Sequence, residues 1–410
     1  MAAFLFHIIY SIYKMNKNIE KLYSIAKKEE RLIIGLMSGT SVDGLDVALC
    51  SIKGSGVDTS LKLLEFETIS FEKHLKEEIK TILSKRIVDL EKVCMLNAHI
   101  AIVHAEIILN CLNKWNLVAD EIDLIASHGQ SIYHAPAALH KQSGQGNSTL
   151  QIGDGDHLAV KTGIITLSDF RQKHIAAGGE GAPLAIYGDY LIFSKKEENR
   201  IMLNIGGIAN FTYLPGSLNA AEVFCSDVGP GNTLMDAYIQ ENFPGSYYDH
   251  NATVALEGTV NPLLLTALKD HEFFHQKFPK TTGPELFNLQ YLTAAKNASD
   301  TINISVEDTM ATLNRLTADT VVYAINENLQ VISNATIYLS GGGMHNPLLR
   351  KSIQEQLPGI KLRDTEDLGI NPDAKEAVLF AILANEAVCG KPDFSGGFVN
   401  VSMGKISFPG

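Results

Sequence analysis

The chain has 410 residues, enough for two domains that each bury a core of their own. Its 45% apolar and 20% charged residues are those of an ordinary globular protein, and a net charge of -12 argues against a general nucleic-acid binder, which needs clustered Lys and Arg. The five cysteines, at 50, 94, 111, 225 and 389, are odd in number and widely spaced, which argues against a disulfide framework or a zinc site and fits a reducing cytoplasm.

Residues 1–30 read as an extension ahead of the fold, with a short helix as one reading of it. Its apolar stretch is broken by His7 and Tyr10 and stopped by Lys14, too short to span a bilayer, and Met15 is a second possible initiator. No later run has the length of a membrane helix, so neither a membrane nor a nucleic acid is expected as a partner. "LIIGLM", "LDVALCSI" and "LKLLEFETISF" then read as three strands of a meander. Residues 73–117 carry apolar positions at three- and four-residue spacing and predict two helices. "IDLIASHGQSIYH" returns to a buried strand, "GIITLSDF" follows, and "AAGGEGAPLA" leads into a helix. The pattern restarts at "RIMLNIGGIANFTYL", a strand, a glycine pair and a second strand. "ATIYLSGGGMHNPLLRKSIQEQL" repeats strand, glycines and helix, and "PDAKEAVLFAILANEA" predicts a late helix. Strand, glycine turn and helix recurring in both halves predict a duplicated α/β architecture.

None of the glycine loops is a Walker A loop or a GxGxxG fingerprint. Each can be a tight turn, or a place where converging N–H groups hold phosphate. In "GTSVDGLD", Asp43 can hold hydrated Mg²⁺ or cap its own backbone. "SHGQSIYHAP" puts His128, Gln130 and His134 at a strand end, as polar contacts to a hydroxylated substrate or as locally satisfied side chains. Asp227, ahead of Gly-Pro-Gly in "FCSDVGPGNTLMD", is either a general base or a helix cap. Glu376 sits in a first helical turn, where charge commonly complements the helix dipole.

Taken in order, "GLMSGTSVDGLDVAL", "SHGQSIYHAP", "LQIGDGDHLA", "TGIITLSDFR", "AAGGEGAPL", "LNIGGIANFT", "DVGPGNTLMD", "TTGPELFN", "DTMATLNRLTA" and "LSGGGMHNPLL" resemble the anhydro-N-acetylmuramic acid kinases, over residues 31–384. The resemblance implies a duplicated actin-like, ribonuclease H-like fold of the sugar kinase, Hsp70 and actin superfamily, with a central nucleotide and substrate cleft. It also implies ATP and Mg²⁺ as cofactors, a small sugar as substrate, a cytoplasmic enzyme and a homodimer. By the same resemblance Gly39, Thr40, Ser41, Asp43 and Gly44 form one phosphate hairpin, and Asn204, Gly206, Gly207 and Asn210 the other. Gly341, Gly342, Gly343 and Asn346 fall in the adenosine loop, and Asp227 is the catalytic aspartate. His128, Gln130, His134, His174 and Glu376 are expected on the sugar, and Asp43 on the metal. Three positions depart from the family pattern: His174 stands for an aspartate, Glu180 for a glutamine and Pro284 for an arginine. The expected domains are 31–175 and 176–385, with 386–410 returning to the first. The alternatives are a superfamily kinase for another sugar, or a nucleotide clamp without catalysis.

Overall fold

A computed structural model describes residues 15–182, 184–328, 335–390 and 398–410. The chain divides into two compact units, Met1–Ile192 with Asp373–Gly410, and Phe193–Pro372.

In the first unit, β1 (Glu30–Ser38), β2 (Gly44–Lys53) and β3 (Ser60–Ser70) form an antiparallel meander. β4 (Leu124–Ala135) runs parallel to β1 with β5 (Ser148–Ile152) paired to its far end, and β6 (Thr166–Ser168) runs parallel to β4. In the second unit β7 (Arg200–Ile205), β8 (Ile208–Leu214) and β9 (Phe224–Pro230) repeat the meander. β10 (Thr336–Ser340) and β11 (Lys361–Asp364) then repeat the parallel pair. The short β12 (Lys405–Ser407) closes the first sheet against β6. Both sheets therefore carry the order 3-2-1-4-5 with the second strand antiparallel to the rest, β3-β2-β1-β4-β6 and β9-β8-β7-β10-β11. That shared order is the duplication anticipated from the recurring strand and glycine pattern.

The boundaries differ from those the sequence suggested, 192/193 and 372/373 in place of 175/176 and 385/386. Two helices explain the difference. Helix Lys375–Cys389 lies so close on β1 that a Cβ at Gly35 would fall 1.9 Å from the Ala377 carbonyl oxygen. Helix Ala185–Phe193 abuts it in turn, Gly188 leaving room for Leu379. Packing thus places helix Lys375–Cys389, and the other helix up to Ile192, in the first unit.

The part of the expected extension up to residue 14 lies outside the described residues, as do 391–397 of the returning segment. From Lys17 to Lys27 the chain is a helix with Ile25 buried. Lys28 meets Asp123 at 2.6 Å and Asn18 donates to the Pro409 carbonyl, so this helix is fastened to the first unit.

The other face of the first sheet carries helix Leu90–Lys114. Contrary to the sequence reading, this helix has the length and hydropathy of a membrane span. Its stripe of Leu96, Ile100, Ala101, Ala105 and Ile108 nevertheless packs in the core that holds Ile34, Leu36 and Ile125. His104 is buried there, stacked on Phe71 with ring centroids 5.9 Å apart, and among the described residues neither ring nitrogen has a hydrogen-bond partner. Burial lowers its pKa from 6.5 to about 4. The folded state therefore favours neutral imidazole, and the stability this supplies is present above pH 6.5 and drains away as pH falls toward 4. His104→Phe keeps the stack and removes the titration. The melting temperatures of the two proteins should be similar at pH 8 and diverge below pH 6.5 in favour of the variant, by up to about 1.4 kcal/mol per pH unit. A constant difference across that range would remove His104 from the acid response.

Candidate active site

In the second unit, the carboxyl end of β7 and its neighbours form a small polar platform. The register sets Asn204 opposite Asn210 and Asn210 opposite Asp227, so the three side chains form a row across β7, β8 and β9. Asp227 is half-buried. Its Oδ2 accepts the Thr282 N–H at 2.8 Å, and its own N–H donates to the Lys280 carbonyl at 3.0 Å. Burial pushes the Asp227 carboxyl above the ordinary aspartate value, and the Thr282 N–H pulls against that rise. A carboxylate held by one amide, with its pKa raised by burial, is suited to taking a proton.

Beside this row lies the two-residue turn Gly206–Gly207. Its carbonyls are occupied, Gly206 by Asn232 N–H at 2.8 Å and Gly207 by Gly231 N–H at 2.8 Å and Thr233 N–H at 3.1 Å. Its own N–H groups have no acceptor among the described residues. Gly231 must be glycine for this contact, since its Cβ would fall 2.3 Å from the Gly206 oxygen. Gly206 and Gly207 themselves are not needed for packing: a Cβ on either would meet nothing closer than 3.5 Å. Unpaired N–H groups on a turn that could hold side chains but has none make a cradle for an oxyanion.

The β10 loop divides differently. Gly341, at φ +79°, and Gly343 press on Ile205, with a Cβ at 2.7 and 2.3 Å from it respectively. Gly342 is unconstrained, its Cβ meeting only Asn232 Nδ2 at 3.7 Å. Asn346, expected on the nucleotide, uses its Oδ1 to accept from Leu349 N–H and Asn314 Nδ2, capping helix Pro347–Gln356.

The first unit has its own hairpin turn. Thr40, Ser41 and Asp43 are exposed, and the one backbone hydrogen bond within the turn is Val42 N–H to Gly39 O. Val42 takes φ +59° although β-branched, held there by its fully buried side chain. Gly44 is required by packing, its Cβ falling 2.2 Å from the Ile69 oxygen, while Gly39 is unconstrained. The Asp43 carboxylate has no bonded partner among the described residues, a donor suited to hydrated Mg²⁺. Asp46 is tied to Thr68 at 2.6 Å.

Three of the expected sugar contacts are committed inside the protein. Gln130 bonds the turn itself, Nε2 to Gly39 O at 2.9 Å and Oε1 to Ser38 Oγ at 2.6 Å, because β1–β4 pairing sets Ser38 opposite Gln130. His128 is buried against Phe380 and pairs with the Gly129 carbonyl and with Arg171 Nε. Burial, reinforced by Arg171, lowers its pKa to about 3. His174 accepts the Gly181 N–H at 2.9 Å, bracing the loop after helix Phe170–Ala176. Burial and then Arg171 lower its pKa, so the imidazole acts as a neutral acceptor there. His134 and Glu376 remain accessible to solvent.

Arg171, which sequence reasoning passed over as a site residue, is the centre of this group. Beyond its bond to His128 it donates to the Gly181 carbonyl at 2.7 Å. Its charge acts on Glu376, whose carboxyl desolvation raises and Arg171 lowers. The only sequence signal was a lone arginine just beyond the strand end in "LSDFR".

The duplicated 3-2-1-4-5 strand order, with a glycine hairpin in each unit and a backbone-held aspartate in the second, is that of the actin-like class to which ATP-dependent sugar kinases belong. The sequence profile described as anhydro-N-acetylmuramic acid kinase matches residues 31–406, and the chain belongs to that family. Proteins of that name from Pseudoalteromonas atlantica and Pseudoalteromonas translucida are 56% and 52% identical, covering 96% of this chain and 100% of each relative. The one from Caldanaerobacter subterraneus is 40% identical over 95% of this chain and 100% of its own. Among solved structures, a hexokinase from Schistosoma mansoni complexed with glucose is 11% identical, covering 87% of this chain and 86% of its own at a TM-score of 0.35. The fold assignment rests on the strand order and not on that likeness.

Proposed function

We propose that the protein uses ATP and water to open 1,6-anhydro-N-acetylmuramic acid, giving N-acetylmuramic acid 6-phosphate and ADP in the recycling of cell-wall sugars. The observation that carries this reading is Asp227, a half-buried carboxylate whose pKa burial raises, aligned with Asn204 and Asn210 beside the Gly206–Gly207 turn. The 1,6 bridge leaves no free O6, so a base has no sugar hydroxyl to deprotonate there. Asp227 instead takes a proton from water as that water attacks C1. The C1–O6 bond breaks, its electron pair goes to O6, and O6 captures the γ-phosphoryl group of ATP, releasing ADP. The base resembles that of an inverting glycosidase, and phosphorus replaces the acid.

N–H groups of the two glycine turns stabilise charge on the phosphoryl oxygens. Mg²⁺, held through Asp43, would neutralise phosphate charge. Arg171 has donor capacity beyond its two internal bonds and suits the carboxylate of a muramic acid, while Glu376 and His134 suit hydroxyl or amide groups. We assign the enzyme to the cytoplasm and read it as a homodimer. A recess lined by the exposed apolar side chains of Val88, Leu139 and Leu150 supports association of copies.

Turnover in ¹⁸O-labelled water tests the reaction. Label should appear at C1 of the sugar phosphate and be absent from the phosphoryl group, as read by mass spectrometry. Unlabelled product, or greater activity on N-acetylmuramic acid with its free 6-hydroxyl, would overturn it.

A further inference from the structure

Lys280 is 7% exposed, yet no carboxylate lies within ion-pair distance of it among the described residues. Its Nζ donates to the Phe273 carbonyl at 3.0 Å. The ammonium also lies 4.4, 4.6 and 5.8 Å from the ring centroids of Phe273, Phe278 and Phe274. Ring faces and one carbonyl replace the water that a buried ammonium loses, though incompletely, since burial lowers its pKa.

The backbone at this lysine is bonded to the strand that carries Asp227. Its carbonyl accepts the Asp227 N–H at 3.0 Å and its N–H donates to Ser226 Oγ at 2.9 Å. Two residues on, Thr282 N–H reaches Asp227 Oδ2. One wall of the cage also touches that strand, because a Cβ at Gly229 would fall 3.1 Å from Phe274 Cε1. A cation fixed among aromatic rings therefore anchors the short segment that supplies the only hydrogen bond to the Asp227 carboxylate among the described residues.

We propose that Lys280 is a positioning residue for the reaction, its caged ammonium holding residues 280–282 so that the Thr282 N–H stays on the Asp227 carboxylate. This rests on the reading of Asp227 as the base. The donor favours the ionised carboxylate, so releasing it moves the protonation of Asp227 to higher pH. Lys280→Met keeps the length of the side chain and removes its charge. With ATP, Mg²⁺ and the anhydro sugar, it should lower kcat about tenfold and move the acid limb of the kcat/KM profile up by about one pH unit, with KM for ATP nearly unchanged. Lys280→Arg retains the cation and should restore the limb. A variant that melts earlier with its acid limb in place would reduce Lys280 to a structural role and overturn the proposal. Should Lys280→Met not fold, Phe278→Leu opens one wall of the cage and must move the limb the same way by a smaller amount; an unmoved limb again overturns it. Asp227→Asn separates the two readings. If that variant turns over, the base assignment fails; if it is inactive while the Lys280 limb stays fixed, the positioning role alone fails.

Discussion

Asp227→Asn should lower kcat by about 10²- to 10⁴-fold, the range a positioned general base contributes, while ATP binds with nearly unchanged affinity. The substitution keeps shape, and the amide oxygen can still accept the Thr282 N–H that Asp227 Oδ2 accepts at 2.8 Å. What it removes is the capacity to take a proton from the attacking water. Burial raises the Asp227 pKa in the folded protein, so ionisation opposes folding. The stability tied to the neutral acid is present below the ordinary aspartate value and lost as pH rises through the raised one. The asparagine variant should therefore melt above the parent protein near pH 7 and approach it below pH 4. Loss of turnover with a gain in stability is the pattern expected of a residue held for chemistry, and retained turnover would remove Asp227 from the reaction.

The repeated fold was legible because strands declare themselves locally: "LIIGLM" and "RIMLNI" are apolar runs closed by glycine turns in both halves. Domain limits were less legible, because they depend on where helix 375–389 packs, and Gly35 shows that approach only once the Ala377 carbonyl is beside it. The same limit governs the site. Asp227 is readable as an aspartate ahead of Gly-Pro-Gly, although β9 continues to Pro230 and sets it within the strand rather than at its end. His128, Gln130 and His174 also look like ligand contacts in sequence, but cross-strand pairing gives Gln130 to the Gly39 turn, and Arg171 and Gly181 take up the two histidines. Polarity at a strand end marks a functional region without telling which side chain faces the ligand and which holds the one that does. Lys280 and Thr282 were invisible because they act through a backbone bond to a residue more than fifty positions away.

Substitutions at Gly207 and Gly341 should divide function from folding. Both lie in glycine turns, and from sequence either can be a tight turn or a phosphate contact. Gly341→Ala puts a Cβ 2.7 Å from the Asn204 side-chain oxygen and from the Ile205 carbonyl, at φ +79° where an alanine is strained. Neither neighbour yields easily: one is backbone of β7 and the other stands in the Asn204–Asn210–Asp227 row. A loss on the order of 3 kcal/mol is expected, read as a lower denaturant midpoint. Gly207→Ala meets nothing closer than the Thr233 side chain at 3.8 Å and has no positive φ to tolerate, so the denaturant midpoint should stay within about 0.5 kcal/mol of the parent. Its methyl group adds bulk at the turn whose unpaired N–H groups are proposed to hold phosphate. KM for ATP should rise about tenfold or more, equivalent to about 1.4 kcal/mol of lost binding. If Gly207→Ala instead unfolds the protein and leaves nucleotide affinity alone, the turn is structural and the phosphate cradle must be sought elsewhere. If both variants lose ATP affinity at full stability, the packing of Gly341 against Ile205 is looser than its geometry requires.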